Sequence, residues 1–319
     1  MNIHQRTQLN YVSQFAILAG ALGILMVIGA AVAGFVASSV LHVPIKDVEI
    51  ALKNPANANF IRWLNVSYSA FSFFLPAFIL AVIISRKPFA QLGFNDVISG
   101  KQMFLVILMA LAAMILSEAL GELNQLIPLP AKWLAKAKAF EKEYSDTVAV
   151  MATMKDVKGY LLSLFVIALC PAIFEEVLFR GGFQQVFLGW FQKPWVAIAV
   201  TSIIFSAIHF SFFGFLPRAG LSIILGYVFY YSKNIWLNIA LHFLNNAIIV
   251  TIFYRFSLSG KPIEDVEKIS KGSLPGFYIW IPFTVFILIS LFKRFQKESE
   301  RIRPVSSNIS PDETILPNA

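Results

Sequence analysis

Charged residues are scarce in this chain of 319 residues. Aspartate, glutamate, lysine and arginine make up 14% of it, and 57% of it is hydrophobic, whereas soluble domains are typically about 25% charged. This composition excludes a large soluble protein and indicates a polytopic membrane protein. The formal net charge of +8 is spread over loops and the tail. That distribution fits loop topology and anionic headgroups better than a nucleic-acid partner.

Cysteine and histidine are also rare. The chain has one cysteine, Cys170, and four histidines. A single cysteine excludes an intrachain disulfide and says nothing about the cellular compartment. The sequence also lacks the inverted repeat that many transporters contain, which gives no support to a transport function.

Eight apolar segments are candidates for membrane spans, since a span needs roughly 20 apolar residues. They predict an all-α fold, a polytopic transmembrane bundle of about eight helices. The first is too long for a signal-peptide core of about 7–15 residues, so we expect it to be retained. The sixth is short, and could be tilted, fused with a neighbour or re-entrant. The segments are residues 12–40, 61–84, 102–123, 159–189, 194–213, 217–232, 234–256 and 275–293.

These segments divide the chain into four regions. Residues 1–158 hold the first three spans and a lysine-rich connection, residues 124–158, where we expect an interfacial amphipathic helix. Residues 159–256 hold the next four spans and form a helical core. Residues 257–295 hold a polar loop and the last span, and we expect residues 296–319 to be a disordered tail.

Basic residues follow two of the spans directly. Arg86 and Lys87 come after the second span, and Lys293, Arg294 and Lys297 come after the eighth. By the positive-inside rule both clusters are cytoplasmic, which also places both termini in the cytoplasm. We therefore expect a multi-pass integral membrane protein, in the cytoplasmic membrane if the host is bacterial.

Three charged residues interrupt one apolar segment. Glu175, Glu176 and Arg180 lie in the middle of residues 159–189, although a charge at bilayer depth costs about 2.5–3.5 kcal/mol on insertion scales. On a helix, Glu176 and Arg180 share a face and can neutralise each other. Glu175 is rotated about 100° away and needs another partner. Pro171, four residues before Glu175, should kink this helix.

Two histidines, His209 and His242, also lie in apolar segments. Glu175 and His209 are about 15 and 16 residues from the turn near residues 190–193. At 1.5 Å per residue both lie roughly 22–24 Å from one membrane face, so antiparallel helices would bring them to the same depth. His242 needs a tilted or early-starting helix to reach that depth. By spacing alone, the cluster could be a structural ion pair, a transport path or a catalytic site.

These residues resemble the motifs of the CAAX prenyl protease and bacteriocin-processing family of intramembrane endopeptidases, also called the Abi family. That family is recognised by Glu-Glu-x-x-x-Arg, Phe-x-x-x-His and His-x-x-x-Asn on successive core helices. Over about residues 160–250 the chain has, in that order, Glu175-Glu176 with Arg180, Phe205 with His209, and His242 with Asn246.

The resemblance implies a polar intramembrane cavity and the hydrolysis of a membrane-bound peptide or protein substrate, such as a C-a-a-X tail or a leader peptide. It also implies a role for each motif residue. Glu175 and His209 would activate a water, and His242 and Asn246 would stabilise the oxyanion. The residues implied as structural support are Glu176, Arg180 and Phe205.

The cofactor stays open at this point. Glu175, His209 and His242 could hold one zinc ion with a free water position. However, the chain has no His-Glu-x-x-His pair, and a metal-free mechanism needs the same residues. We favour metal-free chemistry and keep zinc as the alternative.

Two other function classes would use the same residues. One is a transporter or proton relay, and the other is a non-proteolytic membrane scaffold or resistance protein. The lack of an inverted repeat argues against the first, and the complete motif set argues against the second. The sequence therefore favours a protease whose partners are its substrate and the lipid bilayer, with no nucleic acid. It leaves the oligomeric state open.

Overall fold

A computed structural model describes residues 9–259 and 276–303, which are almost entirely helical. Helices α3, α7 and α11 include 3-10 or π-helical turns within their bounds. The helices are α1 Tyr11–Leu41, α2 Val48–Leu52, α3 Pro55–Ile84, α4 Pro88–Gln91, α5 Gly100–Gln125, α6 Ala131–Met151, α7 Val157–Phe191, α8 Pro194–Ala207, α9 Phe215–Ser232, α10 Ile235–Leu258 and α11 Phe277–Ile302.

The predicted all-α, polytopic architecture is confirmed. Each of the eight predicted spans coincides with α1, α3, α5 or one of the helices α7 to α11. Within the described part of the chain, six of these are long and apolar enough to cross a membrane, the exceptions being α8 and α9. The chain is therefore a multi-pass integral membrane protein.

Helix α8 is shorter than its apolar segment. The segment runs to residue 213, but α8 ends at Ala207 and has 14 residues, about 21 Å at 1.5 Å per residue. Phe210 follows with a left-handed φ of 50°, which cannot continue a right-handed helix. Because the hydrocarbon core is about 30 Å thick, α8 alone is too short to cross it, and the loop 208–214 follows it. We call it the His209 loop.

Two apolar clusters hold the bundle together. One joins α1, α3, α7 and α8, with Leu18, Ala77 and Phe179 among its buried members. The other joins α5, α9, α10 and α11, with Met109 and Phe295 among its buried members. Helices α7 and α10 pack against each other, so the polar residues of α7 lie between the two clusters.

Both described ends of the chain lie at one end of the bundle, which we call the terminal face. The ring of Tyr11 packs on Gly189 so closely that it leaves no space for a Cβ there. At the other end of the chain, Arg303 Nη1 donates to Ser232 O over 2.8 Å. Gly189 and Ser232 both precede turns at this face. The opposite end, where α6 meets the His209 loop, we call the loop face.

The predicted connection 124–158 contains α6. Its exposed surface combines lysines with Trp133, Phe140 and Tyr144. Its carboxyl end is fixed to α3, because the buried guanidinium of Arg62 donates to Met151 O over 2.8 Å and to Thr153 O over 2.6 Å.

The tail boundary predicted at residue 296 is too early, since α11 continues to Ile302. The reason is Glu298, whose side chain is 3% exposed. It accepts hydrogen bonds from Ser99 Oγ over 2.8 Å and from Arg301 Nη2 over 2.7 Å. These contacts hold the end of α11 against the capped start of α5. The rest of the predicted tail, and most of the predicted polar loop, lie outside the described residues.

Candidate active site

Helix α7 carries both glutamates on a short regular turn between two irregular ones. Cys170–Glu176 is α-helical, whereas Leu164–Leu169 and Val177–Gln184 are π-helical. The first π turn comes directly before Pro171, which has no N–H to donate to the preceding turn. A wider helical turn, a feature frequent at functional sites, therefore stands just before the proline at which a kink was predicted.

Side chains from α7, the His209 loop and α10 converge on one carboxylate oxygen. His209 Nε2 lies 3.9 Å from Glu175 Oε2, and His242 Nε2 lies 4.0 Å from the same oxygen. The predicted meeting of Glu175 and His209 at one depth is therefore present in the structure. His242 joins them because α10 starts at Ile235, directly after a short turn. Neither histidine is within direct hydrogen-bond distance of Glu175.

Each histidine is oriented through its other ring nitrogen. His209 Nδ1 lies 2.7 Å from Phe205 O. A carbonyl oxygen can only accept, so Nδ1 carries the proton and Nε2 has a lone pair when the ring is neutral. His242 Nδ1 lies 2.8 Å from Glu176 Oε1. The two Nε2 atoms are thereby directed at Glu175.

The two neighbouring glutamates have different environments. The exposed fraction of the side chain is 14% for Glu175 and 0% for Glu176. Glu176 accepts from Arg180 Nη1 over 3.1 Å and from Asn238 Nδ2 over 3.2 Å, in addition to its contact with His242. Glu175 is therefore accessible, whereas Glu176 is sealed in a hydrogen-bond network.

Arg180 is held from a second helix. Its Nη2 donates to Ser222 O over 2.9 Å and to Ser222 Oγ over 2.8 Å. Four residues on, Gln184 Nε2 donates to Gly226 O over 2.9 Å. Arg180 and Gln184 thus bind the carbonyl oxygens of two α9 residues, and on both helices the paired residues are four positions apart, on one face.

Phe205 lies at the centre of the cluster. Its ring is perpendicular to that of Phe179, with centroids 4.9 Å apart, and it lies 5.0 Å from the ring of His209. The Arg180 guanidinium is 5.2 Å from the ring centroid. Such cation–π contacts typically add about 0.5–2 kcal/mol.

Asn246 lies one helical turn beyond His242 and is half-buried. Its Oδ1 accepts from Asn245 Nδ2 over 3.3 Å. That contact leaves the Nδ2 group of Asn246 with donors available for another acceptor. The structure thus brings Glu175, His209 and His242 together and sets Asn246 next to them on α10, without a direct contact to the glutamate.

Residues 157–248 match the family model of the Rce1-like type II CAAX prenyl endopeptidases. This match confirms the resemblance read from the three motifs, and it covers α7 and most of α10, with every motif residue inside it. No curated protein and no solved structure matches the chain. The matched family is one of proteases, which favours peptide hydrolysis over transport or a scaffold role.

Two residues of the matched region that the motifs do not include complete the network. Asn238 binds Glu176 and Leu225 O, and Ser222 binds Arg180. Asn238 had a signal in the sequence, because it stands four residues before His242 on the same helical face. Ser222 had none, because its partner is set by how α9 packs on α7.

The His209 loop depends on a residue outside the matched region. Asn124, 1% exposed at the end of α5, donates to Phe212 O and accepts from Leu216 N, both over 2.9 Å. Buried backbone groups outside a helix need such partners within the protein. Asn124 is therefore part of what holds His209 in place, and sequence reasoning missed it.

The three converging side chains do not fit a zinc ion as they stand. Two nitrogen or oxygen ligands on a tetrahedral zinc, each at about 2.0–2.1 Å, are roughly 3.3 Å apart. The distances here are 3.9 and 4.0 Å. Among the described residues, no group of three His, Cys, Asp or Glu side chains is arranged to hold a metal. Each distance does fit a water that binds Glu175 Oε2 and one histidine nitrogen, at about 2.8 Å from both.

Proposed function

We propose that this chain is an intramembrane endopeptidase that hydrolyses a peptide bond of a membrane-associated substrate. The observation that carries the proposal is the convergence of His209 Nε2 and His242 Nε2 on the accessible Glu175 Oε2, at 3.9 and 4.0 Å. Two histidines around a carboxylate suit hydrolysis, since water can be bound, deprotonated and delivered at one point.

Glu175 and His209 activate the water in this proposal. A water bridging them can pass its proton to either group, because the ionised carboxylate and the neutral His209 Nε2 are both acceptors. The bond from His209 Nδ1 to Phe205 O keeps the basic nitrogen directed at the water. General-base catalysis of this kind typically contributes about 10²–10⁴-fold.

His242 and Asn246 stabilise the oxyanion. Glu176 accepts hydrogen bonds from Arg180 and Asn238, and it also faces His242 Nδ1. When both ring nitrogens of His242 carry protons, Nδ1–H donates to Glu176 and Nε2–H can donate to the oxyanion.

The hydrolytic step balances with these groups alone. The water oxygen attacks the carbonyl carbon while its proton goes to Glu175, and the carbonyl oxygen becomes the oxyanion beside His242 and Asn246. On collapse, the C–N bond breaks and the proton from Glu175 goes to the leaving amine. Glu176, Arg180 and Phe205 act as positioning residues and touch no substrate. No step requires a metal.

The family match supports a substrate that is anchored in the lipid bilayer, and prenylated peptides ending in C-a-a-X are the first to test. We assign the chemistry to the core, residues 159–256, and a supporting role to the helices before it. We also propose that the terminal face is cytoplasmic, because the clusters after α3 and within α11 are basic.

Purified protein in phosphatidylcholine vesicles is the system for the first test. Three fluorogenic peptides are offered: a farnesylated C-a-a-X peptide, its unprenylated form and a leader-type peptide inserted as a helix. We expect the wild-type protein to cleave at least the farnesylated peptide. Glu175→Ala and His209→Ala should each lower kcat/KM by about 100-fold or more, with products identified by mass spectrometry.

Glu143→Gln is the matched control, since Glu143 is an exposed acid on α6, and it should keep the wild-type rate. All variants should show the same thermal unfolding. A Glu175 or His209 variant that kept more than about a tenth of the rate would remove that residue from its role. Treatment with a chelator should leave activity unchanged. Activity lost on chelation and restored by zinc would instead make Glu175, His209 and His242 ligands.

A further inference from the structure

The amino-terminal half of α6 combines lysines with exposed aromatic rings. Residues 131–140 contain no acid and three lysines, which are Lys132, Lys136 and Lys138. In the same stretch, Trp133 is 59% exposed and Phe140 is 55% exposed. Phe140 comes seven residues after Trp133, which is nearly two full turns, so both rings project from the same side of the helix. This half of α6 therefore presents positive charge and apolar rings to its surroundings.

The acids of α6 all lie in its other half and face other groups. Glu141 accepts a hydrogen bond from the His209 loop, and Asp146 accepts one from Lys142 Nζ over 2.9 Å. Glu143 is close enough to Lys53 to act on it electrostatically. None of the three lysines of the first half forms an ion pair with a residue that the structure describes. Their charge is therefore free to meet an anion outside the bundle.

The helix itself gives no reason for this placement, because lysines are disfavoured near the amino end of a helix dipole. A bilayer surface does give one. Tryptophan rings favour the boundary between headgroups and acyl chains, and lysines beside them extend their ammonium groups to the headgroups. Lys136 Nζ already lies over the ring of Trp133, at 5.3 Å from its centroid. Since α6 connects the spans α5 and α7, a leaflet surface lies beside it, and its lysines are complementary to anionic headgroups.

We propose that this surface of α6 binds anionic phospholipids of the leaflet at the loop face. We call it the α6 patch, and its members are Lys132, Trp133, Lys136 and Phe140. The contact does not depend on the proposed function, but it bears on the candidate site. Ser211, two residues after His209, donates to Glu141 Oε2 over 2.7 Å. A leaflet that holds α6 in place therefore also steadies the His209 loop.

The test uses full-length protein in phosphatidylcholine vesicles, with or without phosphatidylglycerol. The chain has six tryptophans, so the emission of Trp133 is taken as the difference between each protein and its Trp133→Phe partner. Quenching of this emission by brominated acyl chains should rise about twofold or more with phosphatidylglycerol, and high salt should reverse the rise. Lys132→Gln combined with Lys136→Gln should abolish the rise, since each lysine near an anionic surface changes binding roughly fivefold. Lys155→Gln combined with Lys158→Gln is the matched control, because it removes the same charge from exposed positions at the start of α7, and it should keep the rise.

Hydrogen exchange tests the link to the His209 loop. Phosphatidylglycerol should slow exchange of residues 208–214, and Ser211→Ala should remove most of this effect while leaving the quenching of Trp133 unchanged. Exchange that ignores the lipid would overturn the link. Equal quenching in both lipids would overturn the α6 patch, and so would equal loss in the two double variants, which would show a response to net charge alone. Strong quenching of Trp133 by aqueous acrylamide in both lipids would instead assign this surface to water or to a soluble acidic partner. Every readout holds whether or not a peptide is cleaved, so it is independent of the proposed function.

Discussion

Glu175 and Glu176 are adjacent in the chain, but helical geometry turns them about 100° apart. Glu176 faces the interface of α7 with α9 and α10, where Arg180, Asn238 and His242 all bind it. Glu175 faces the space between the two histidines. Because of this rotation, Glu176 organises the site from inside the protein, whereas Glu175 can contact a substrate.

This separation predicts a stability defect for Arg180→Ala. The variant leaves Glu176 buried with an unbalanced charge, and removing one partner of a buried ion pair costs about 3–5 kcal/mol. We expect a much lower yield of folded protein and a lower thermal midpoint in detergent, together with lost activity.

Arg255→Ala is the control for this prediction, because Arg255 is exposed at the end of α10. Its effect on the free energy of unfolding should be within about 0.5 kcal/mol. If Arg180→Ala unfolded normally and lost only activity, Arg180 would be a substrate-binding residue and not a positioning one.

The sequence predicts the ionisable part of this network better than its neutral part. Glu176 and Arg180 are detectable because charges in an apolar helix need a partner, and four-residue spacing supplies one. Ser222 is one of many serines, and it becomes a partner only through the rotation of α9 against α7. A hydrogen bond between helices depends on that packing, which periodicity along one helix does not contain.

At the scale of whole elements, the site depends on departures from regular helix. Two π turns flank Glu175 and Glu176, and α8 stops at Ala207. Phe210 adopts a left-handed backbone conformation that is costly for a bulky residue. These departures put loop backbone and both histidines at the depth where α7 carries its glutamates.

Asn124→Leu should therefore impair the site from a distance. It removes the amide that binds Phe212 O and Leu216 N, and each buried backbone group left without a partner costs about 1–3 kcal/mol. We expect a reduced kcat with the protein still inserted in the membrane, and faster proteolysis within the His209 loop. The exposed neighbour Gln125 is the control, since Gln125→Leu removes no such bond. Wild-type turnover in Asn124→Leu would show that the loop is held by its other contacts.

Hydropathy could not have located the end of α8. Ile208, Phe210, Phe212 and Phe213 are as apolar as the span they follow, so the segment reads as continuous to residue 213. What ends the helix is backbone geometry at Phe210 and the amide of Asn124, some 88 residues away from Phe212 in the chain. Long-range polar contacts of this kind leave no mark on a local pattern.

At the scale of the molecule, the two described chain ends lie on the terminal face, in agreement with an even number of crossings. The sequence predicted that parity from the basic clusters after α3 and within α11. Parity does not assign a compartment to the terminal face. The lysines of α6 lie at the opposite, loop face, so basic residues are present at both ends of the bundle.

Cysteine labelling tests the proposed sidedness. In a Cys170→Ala background, which removes the buried native thiol, single cysteines replace Lys87 and Lys142. If the terminal face is cytoplasmic, a membrane-impermeant maleimide added to intact cells should label Lys142→Cys and not Lys87→Cys. Permeabilised cells should show both labels. The reverse pattern in intact cells would invert the topology and place the His209 loop on the cytoplasmic side.

The separation of the chain ends from the His209 loop has a practical consequence. A support attached beyond either described end would hold the bundle by the face opposite α6, so the protein could be immobilised in a nanodisc on a sensor chip with the His209 loop directed away from the surface. Molecules arriving in solution would then meet the same face of every bundle. Orientation on the chip would then be uniform without any engineered attachment site in the core.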